Sequence, residues 1–320
     1  MRKLIISFLV AIAVLSTVFI PGCSGNTAKD GLNIVCTLFP QYDFVRAILG
    51  DKINDVAVTY LLDDGSDIHN YKNNITAADK ITIISSDLLI FVGGESDRWI
   101  EQLLEDPSRN PDLIAIPMLD IINNPKLEED NHEEIGYQEH EETYDEHVWL
   151  SVKNSIEICN AICDAFVSLD PENADIYRHN VKNYVNQLEA LDNEYKEMVE
   201  SSKRRVVVFA DRYPFRYLME DYSITCYAAL PGCSTETDAK YENIIALSKV
   251  IDEYDIPYLL TLENSKINIA DQVINNSKKR PVKIGVLNSL QSVTSKEIEA
   301  GISYLSVMRQ NLEVLKGALN

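Results

Sequence analysis

Three of the five histidines in this 320-residue chain, His132, His140 and His147, fall within residues 128–147 beside ten carboxylates. Imidazole and carboxylate bind divalent first-row cations without redox chemistry or a thiolate. A charge run of this kind is ordinarily a solvated surface loop. Its end is different, because His147 leads straight into the apolar Val148, Trp149 and Leu150. A fourth histidine, His69, stands in the turn Gly65-Ser66-Asp67-Ile68-His69-Asn70-Tyr71, directly after an apolar stretch at 56–62. In open α/β sheets ligands collect beyond the carboxyl ends of the strands, so His69 is well placed for binding. Taken singly, either histidine is more simply read as a structural residue.

The elements that must position these residues alternate regularly. Strand patterns at 33–39, 56–62, 88–92 and 114–117 are separated by helix patterns at 42–49, 75–85 and 99–104. A second series follows, with strands at 205–209, 224–229, 258–262 and 282–287 and helices reaching Tyr217 and spanning 241–254, 270–277 and 302–319. Such alternation predicts an α/β fold, with parallel sheets covered on both faces. Between the two series Tyr177, Val181, Tyr184, Val185, Leu188, Leu191, Tyr195 and Met198 recur at steps of three and four. With Asp170 as N-cap and Pro171 at the first helical position, they predict one long helix over 171–201. The expected architecture is two (β/α) lobes joined by that spine: an N-terminal lobe at 31–169 carrying an acidic histidine loop at 126–146, a linking helix at 170–202, and a C-terminal lobe at 203–320.

Composition narrows the function. The formal charge of −21 disfavours nucleic acid or an anionic membrane face as partner and suits a cation. At the N-terminus, Arg2 and Lys3 precede an uncharged apolar run at 4–20, closed by Pro21, Gly22 and Cys23. This resembles a bacterial lipoprotein signal, which implies a signal peptide at 1–22, lipid on Cys23, and a polar tether at 23–30. Beyond Cys23 there are Cys36, Cys159, Cys163, Cys226 and Cys233, an odd number without zinc-finger spacing. Cys159 and Cys163 share a helix face as small buried hydrophobes, while Cys226 and Cys233 are candidates for a disulfide.

The chain resembles the metal-binding lipoproteins of ABC transporters, the zinc/manganese class of solute-binding proteins. The resemblance rests on the GSDIHNY turn, on DEHVWLSVKN at 145–154, on the long spine and on GISYLSVMRQNLEVLKGAL near the end. It implies that His69 and His147 are the first two metal ligands. A third is expected just after the first strand of the C-terminal lobe, where Asp211 is the metal-competent residue. Arg212, its neighbour, cannot ligate a cation. A fourth is expected at the end of the last strand, where Asn288 stands in place of a carboxylate or imidazole. Glu263, at the end of the 258–262 strand, either supports the site or serves as a structural acceptor for the neighbouring loop, and the second role is favoured.

The resemblance thus implies an extracytoplasmic, monomeric receptor, lipid-anchored to the bacterial cell membrane, that captures a divalent ion between two lobes and hands it to an ABC permease. Two imidazoles, one carboxylate and one neutral oxygen suit zinc by softness and low coordination number, with manganese or iron next. The acidic loop reads as a low-affinity cation collector containing His132 and His140. A metal-dependent hydrolase is disfavoured: the sequence has no HExxH pair, no GxSxG elbow and no glycine-rich phosphate loop. The departures at Arg212 and Asn288 leave a third reading, a surface interaction protein that has lost its metal.

Overall fold

The computed structural model describes residues 31–66, 69, 75–127, 143–230, 239–266, 268–279 and 281–320. The segments expected as signal peptide and tether, with His132, His140 and Cys233, lie outside the described residues. Two four-stranded parallel sheets carry the fold. The N-terminal sheet holds β1 (Asn33–Cys36), β2 (Ala57–Tyr60), β3 (Leu88–Phe91) and β4 (Ile114–Pro117) in the order β2-β1-β3-β4. The C-terminal sheet holds β5 (Val206–Phe209), β6 (Thr225–Ala228), β7 (Tyr258–Leu262) and β8 (Lys283–Leu287) in the equivalent order β6-β5-β7-β8. In each, the chain leaves its first strand toward one edge and its third toward the other. That change of direction opens a crevice at the carboxyl ends of the strands. All four residues of β3 are buried, as expected for a strand covered on both faces.

Helices α1 (Phe39–Leu49), α2 (Ala77–Ile84), α3 (Arg98–Leu104) and α4 (Met118–Ile121) belong to the N-terminal lobe. Then come α5 (Val152–Leu169) and the spine α6 (Ala174–Glu200), followed in the C-terminal lobe by α7 (Arg216–Asp221), α8 (Tyr241–Glu253), α9 (Asn268–Asn276), α10 (Ser295–Glu299) and α11 (Tyr304–Leu319). The spine is three residues shorter at its start than the periodicity predicts, because Pro171–Asn173 forms a 3₁₀ turn. Asp170 does not cap the backbone. Its carboxylate accepts instead from the Asn173 side-chain Nδ2 at 2.7 Å and the Tyr177 hydroxyl at 2.6 Å. The spine's 27 residues span roughly 40 Å at 1.5 Å per residue.

Of the predicted apolar stripe, Tyr177, Val181, Tyr184, Leu188, Leu191, Tyr195 and Met198 are buried, and Val185 is partly buried against the same core. They pack on α1 and α5 on one side and on α11 on the other. One core cluster therefore runs through both lobes. Polar ties cross between them as well. Tyr195 donates to the Met308 carbonyl at 2.6 Å, the Tyr304 amide donates to Asp43 at 2.9 Å, and Tyr60 donates to the Val293 carbonyl at 2.9 Å. Cys36, Cys159 and Cys163 are buried free thiols, and Cys226 is also a free thiol; its candidate partner Cys233 lies outside the described residues. Burial pushes the Cys226 thiol above its usual range, and Tyr213 is its hydrogen-bond partner.

Because the stripe is shared by both lobes, a cavity in it weakens the whole molecule. Leu188→Ala is expected to lower the unfolding free energy by about 2–5 kcal/mol in urea titrations. Glu189→Ala, on the exposed face of the same turn, should change it by less than about 0.5 kcal/mol.

Candidate metal centre

His69 and His147 meet at the carboxyl end of the N-terminal sheet, with ring centroids 5.5 Å apart. Sequence separates them by most of the N-terminal lobe; the sheet order brings them together. His69 follows β2. His147 lies between an isolated bridge, Leu127 to Tyr144, and the fully buried 3₁₀ turn Val148–Leu150. Its ring packs against Trp149 at 5.3 Å and is 2% exposed. At a Zn–N distance of about 2.0–2.1 Å, an ion would sit roughly 3.2 Å from each ring centroid, and a tetrahedral angle would set the centroids roughly 5.2 Å apart. The spacing of these two rings fits a shared ion.

Each imidazole is held at Nδ1. His147 Nδ1 lies 2.8 Å from Asp145 Oδ1. His69 Nδ1 lies 2.9 Å from Ser96 Oγ and 3.8 Å from Glu146 Oε2. Asp145 and Glu146 are buried, at 3% and 7% exposure, and are thus distinct from the solvated run to which the sequence assigned them. The reason is local: Asp145 accepts from the His147 amide and Nδ1, and Glu146 accepts from the Ser96 amide at 2.7 Å. The buried chain resumes two residues before His147. Composition alone averages these two carboxylates into the loop, and the only sequence signal for them is their position against a buried turn.

On the C-terminal side, the loops after β5, β7 and β8 enclose a small polar cavity of about 90 Å³, lined in part by Asp211, Glu263, Ser289 and Gln291. Asp211 Oδ1 accepts from the Arg212 amide at 2.8 Å and Oδ2 from the Leu262 amide at 3.4 Å. Glu263 accepts from the Ser289 amide at 2.9 Å and hydroxyl at 2.5 Å, and burial raises its carboxyl above the usual range. Asn288 turns its side-chain oxygen to the Leu290 amide at 2.8 Å, closing a tight turn in which Leu290 has φ +64°. Gln291, which sequence reasoning passed over, is 3% exposed and lines the cavity. Trp149 joins this side to the histidines, its Nε1 donating to the Ser289 carbonyl at 2.9 Å. Among the described residues no three His, Cys, Asp or Glu side chains already form a metal-holding cluster, so Asp211 is not gathered with the two histidines.

A family profile described as "Zinc-uptake complex component A periplasmic" matches residues 34–318. The chain belongs to this family. It is 30% identical over 308 residues to the zinc-binding lipoprotein AdcA of Streptococcus pneumoniae serotype 4, covering 95% of this chain and 59% of that relative. It therefore spans about three fifths of the length of AdcA. It is also 24% identical over 300 residues to the high-affinity zinc uptake system protein ZnuA of Bacillus subtilis, covering 92% of this chain and 90% of that protein. The crystal structure of the Zn(II)-bound ZnuA-like domain of Streptococcus pneumoniae AdcA superposes with a TM-score of 0.71 at 26% identity, covering 90% of this chain and 99% of that one. The two-lobed α/β architecture expected from the sequence is the architecture of this family.

Behind His69 lies a further buried acid. Asp97 is 1% exposed and accepts from the Val92 amide at 2.8 Å and the Gly93 amide at 3.3 Å, bracing the loop that carries Ser96. Burial raises its carboxyl to about 7, against partial opposition from the Val92 hydrogen bond and with a contribution from the Glu146 charge. The folded protein thus holds a proton at Asp97 that the unfolded chain has released, between about pH 4 and 7. Stability falls as pH rises through that window. Asp97→Asn keeps an acceptor for both amides and removes the titration. Urea unfolding of the metal-free protein should show the wild type losing on the order of 2–4 kcal/mol more than Asp97→Asn between pH 4 and 7. Parallel pH profiles would show that Asp97 stays ionised in the fold.

Proposed function

We propose that this chain is the extracytoplasmic receptor of a zinc-uptake system, capturing one divalent ion between its lobes and releasing it to an ABC permease. The observation that carries the reading is the His69–His147 pair, two imidazoles spaced for one ion, each held at Nδ1 by a buried acceptor. Family membership and the zinc named in the AdcA and ZnuA relatives support zinc as the cargo. Asp211 and the turn from Asn288 to Gln291 supply the remaining donors from the C-terminal side, where small loop movements bring them onto an ion already held by the histidines. The action is capture and release without bond-making, so the chain is not an enzyme.

The shared core and the spine make the two lobes a stiff frame, and loop motion rather than lobe rotation then opens the site. Lipid on Cys23 holds the monomer at the outer face of the cell membrane, within reach of its permease. The acidic residues 128–142 concentrate cations near the entrance by their charge. Manganese is the alternative cargo, since imidazole and carboxylate donors also accept that ion. The donor set favours zinc, because the amide-bearing turn after β8 lacks the second carboxylate that manganese prefers.

Titration calorimetry with a competing chelator should give one tightly bound zinc per chain, displaced little by equimolar manganese, and lost in His69→Ala and His147→Ala. Retention of full affinity by both variants would reject the site. Replacing residues 128–142 with a short Gly-Ser link, keeping the Leu127–Tyr144 bridge, should leave tight binding near wild type. A collapse of affinity in that variant would make the loop part of the binding site.

A further inference from the structure

The pairing of Asp145 and Glu146 with the two histidines has a chemical consequence. A neutral imidazole carries one proton on either ring nitrogen, and a carboxylate only accepts hydrogen bonds. Asp145 Oδ1 sits 2.8 Å from His147 Nδ1 and also takes the His147 amide at 2.9 Å. The proton of His147 must therefore reside on Nδ1, which leaves the lone pair on Nε2. Asp145 is itself anchored. Arg216 Nε from the opposite lobe lies 3.6 Å from its Oδ2, and the Tyr217 hydroxyl donates to its carbonyl at 3.0 Å.

The next residue stands behind the other histidine. Glu146 Oε1 accepts from the Ser96 amide at 2.7 Å, Oε2 faces His69 Nδ1 at 3.8 Å, and Ser96 Oγ lies 2.9 Å from the same nitrogen. The fold leaves room for this carboxylate at Gly94. There φ is +104°, and a Cβ would stand 2.7 Å from Glu146 Oε1. Two consecutive side chains thus serve two different histidines.

We propose that Asp145 and Glu146 are positioning residues that set the tautomers of His147 and His69, Asp145 directly and Glu146 together with Ser96, so that both imidazoles present Nε2 to one divalent cation. The inference rests on the reading that the two histidines are ligands. The carboxylates touch the histidines and not the ion. They orient the rings, raise the basicity of the ligating nitrogens, and place two negative charges behind a dication.

Long-range proton–nitrogen NMR of the metal-free, nitrogen-labelled protein at pH 8 reads the tautomer of each histidine without any metal. Chelator competition with zinc reads affinity on the same samples. In the wild type both histidines should carry the proton on Nδ1. Asp145→Ala removes the acceptor at Nδ1 and should let His147 shift toward the Nε2–H tautomer while leaving His69 unchanged. Glu146→Gln should do the reverse. Each should weaken zinc binding by about 10- to 100-fold, as loss of a carboxylate partner to a metal-bound histidine does elsewhere. Wild-type His147 found as the Nε2–H tautomer would overturn the proposal even if neither variant folds. Unchanged zinc affinity in both variants would also overturn it. A wild type with Nδ1–H histidines but no zinc binding would instead overturn the receptor reading and leave the tautomer assignment standing.

Discussion

Much of this molecule hangs on the buried indole of Trp149. Its Nε1 donates to the Ser289 carbonyl 140 residues further along the chain, and its own carbonyl accepts from the Tyr304 hydroxyl at 2.8 Å and the Ser155 hydroxyl at 3.0 Å. One fully buried residue is thus bonded to the turn after β8, to the first residue of α11 and to helix α5. A buried N–H or C=O left unpaired is expensive, so these bonds fix the distance between the lobes. The same ring packs against His147, which gives that histidine a wall belonging to neither lobe alone.

From that constraint the character of the site follows. The N-terminal side is closely bonded: Asp145 holds His147 at Nδ1, Ser96 holds His69, and the carboxylates of Asp145 and Glu146 are held in turn by backbone amides or by Arg216. The C-terminal side is built from turns, with Asp211, Asn288 and Glu263 spending their oxygens on neighbouring amides and hydroxyls. On the receptor reading proposed above, this asymmetry would suit capture: the two histidines would offer a fixed pair of nitrogens, and the loops opposite would exchange weak local bonds for bonds to the ion. Release would need only that exchange to reverse.

The acidic loop is joined to this arrangement through its base. The Leu127–Tyr144 bridge closes its neck, the Lys126 amide donates to Tyr217 Oη at 2.9 Å, and Lys126 pairs with Glu220 at 2.9 Å on the same short helix of the C-terminal lobe. Asp145 then continues from the neck straight to His147. The described base of the loop is therefore tethered at the boundary between the lobes, just before His147.

How much of this was legible in the residues depends on the range of the interaction. Alternating strand and helix patterns determined two parallel sheets, the bounds of β7 at 258–262, and the stripe of the spine, because burial on one face imprints a period on neighbouring residues. The same logic marked His69 at a strand end and His147 at a loop's return. Periodicity says which face is buried and is silent about what meets it. That Glu146 comes to lie between the Ser96 amide and His69, and that Gln291 lines the C-terminal cavity, were decided by sheet order and loop geometry. These settle distances between residues far apart in sequence, and no local pattern encodes them.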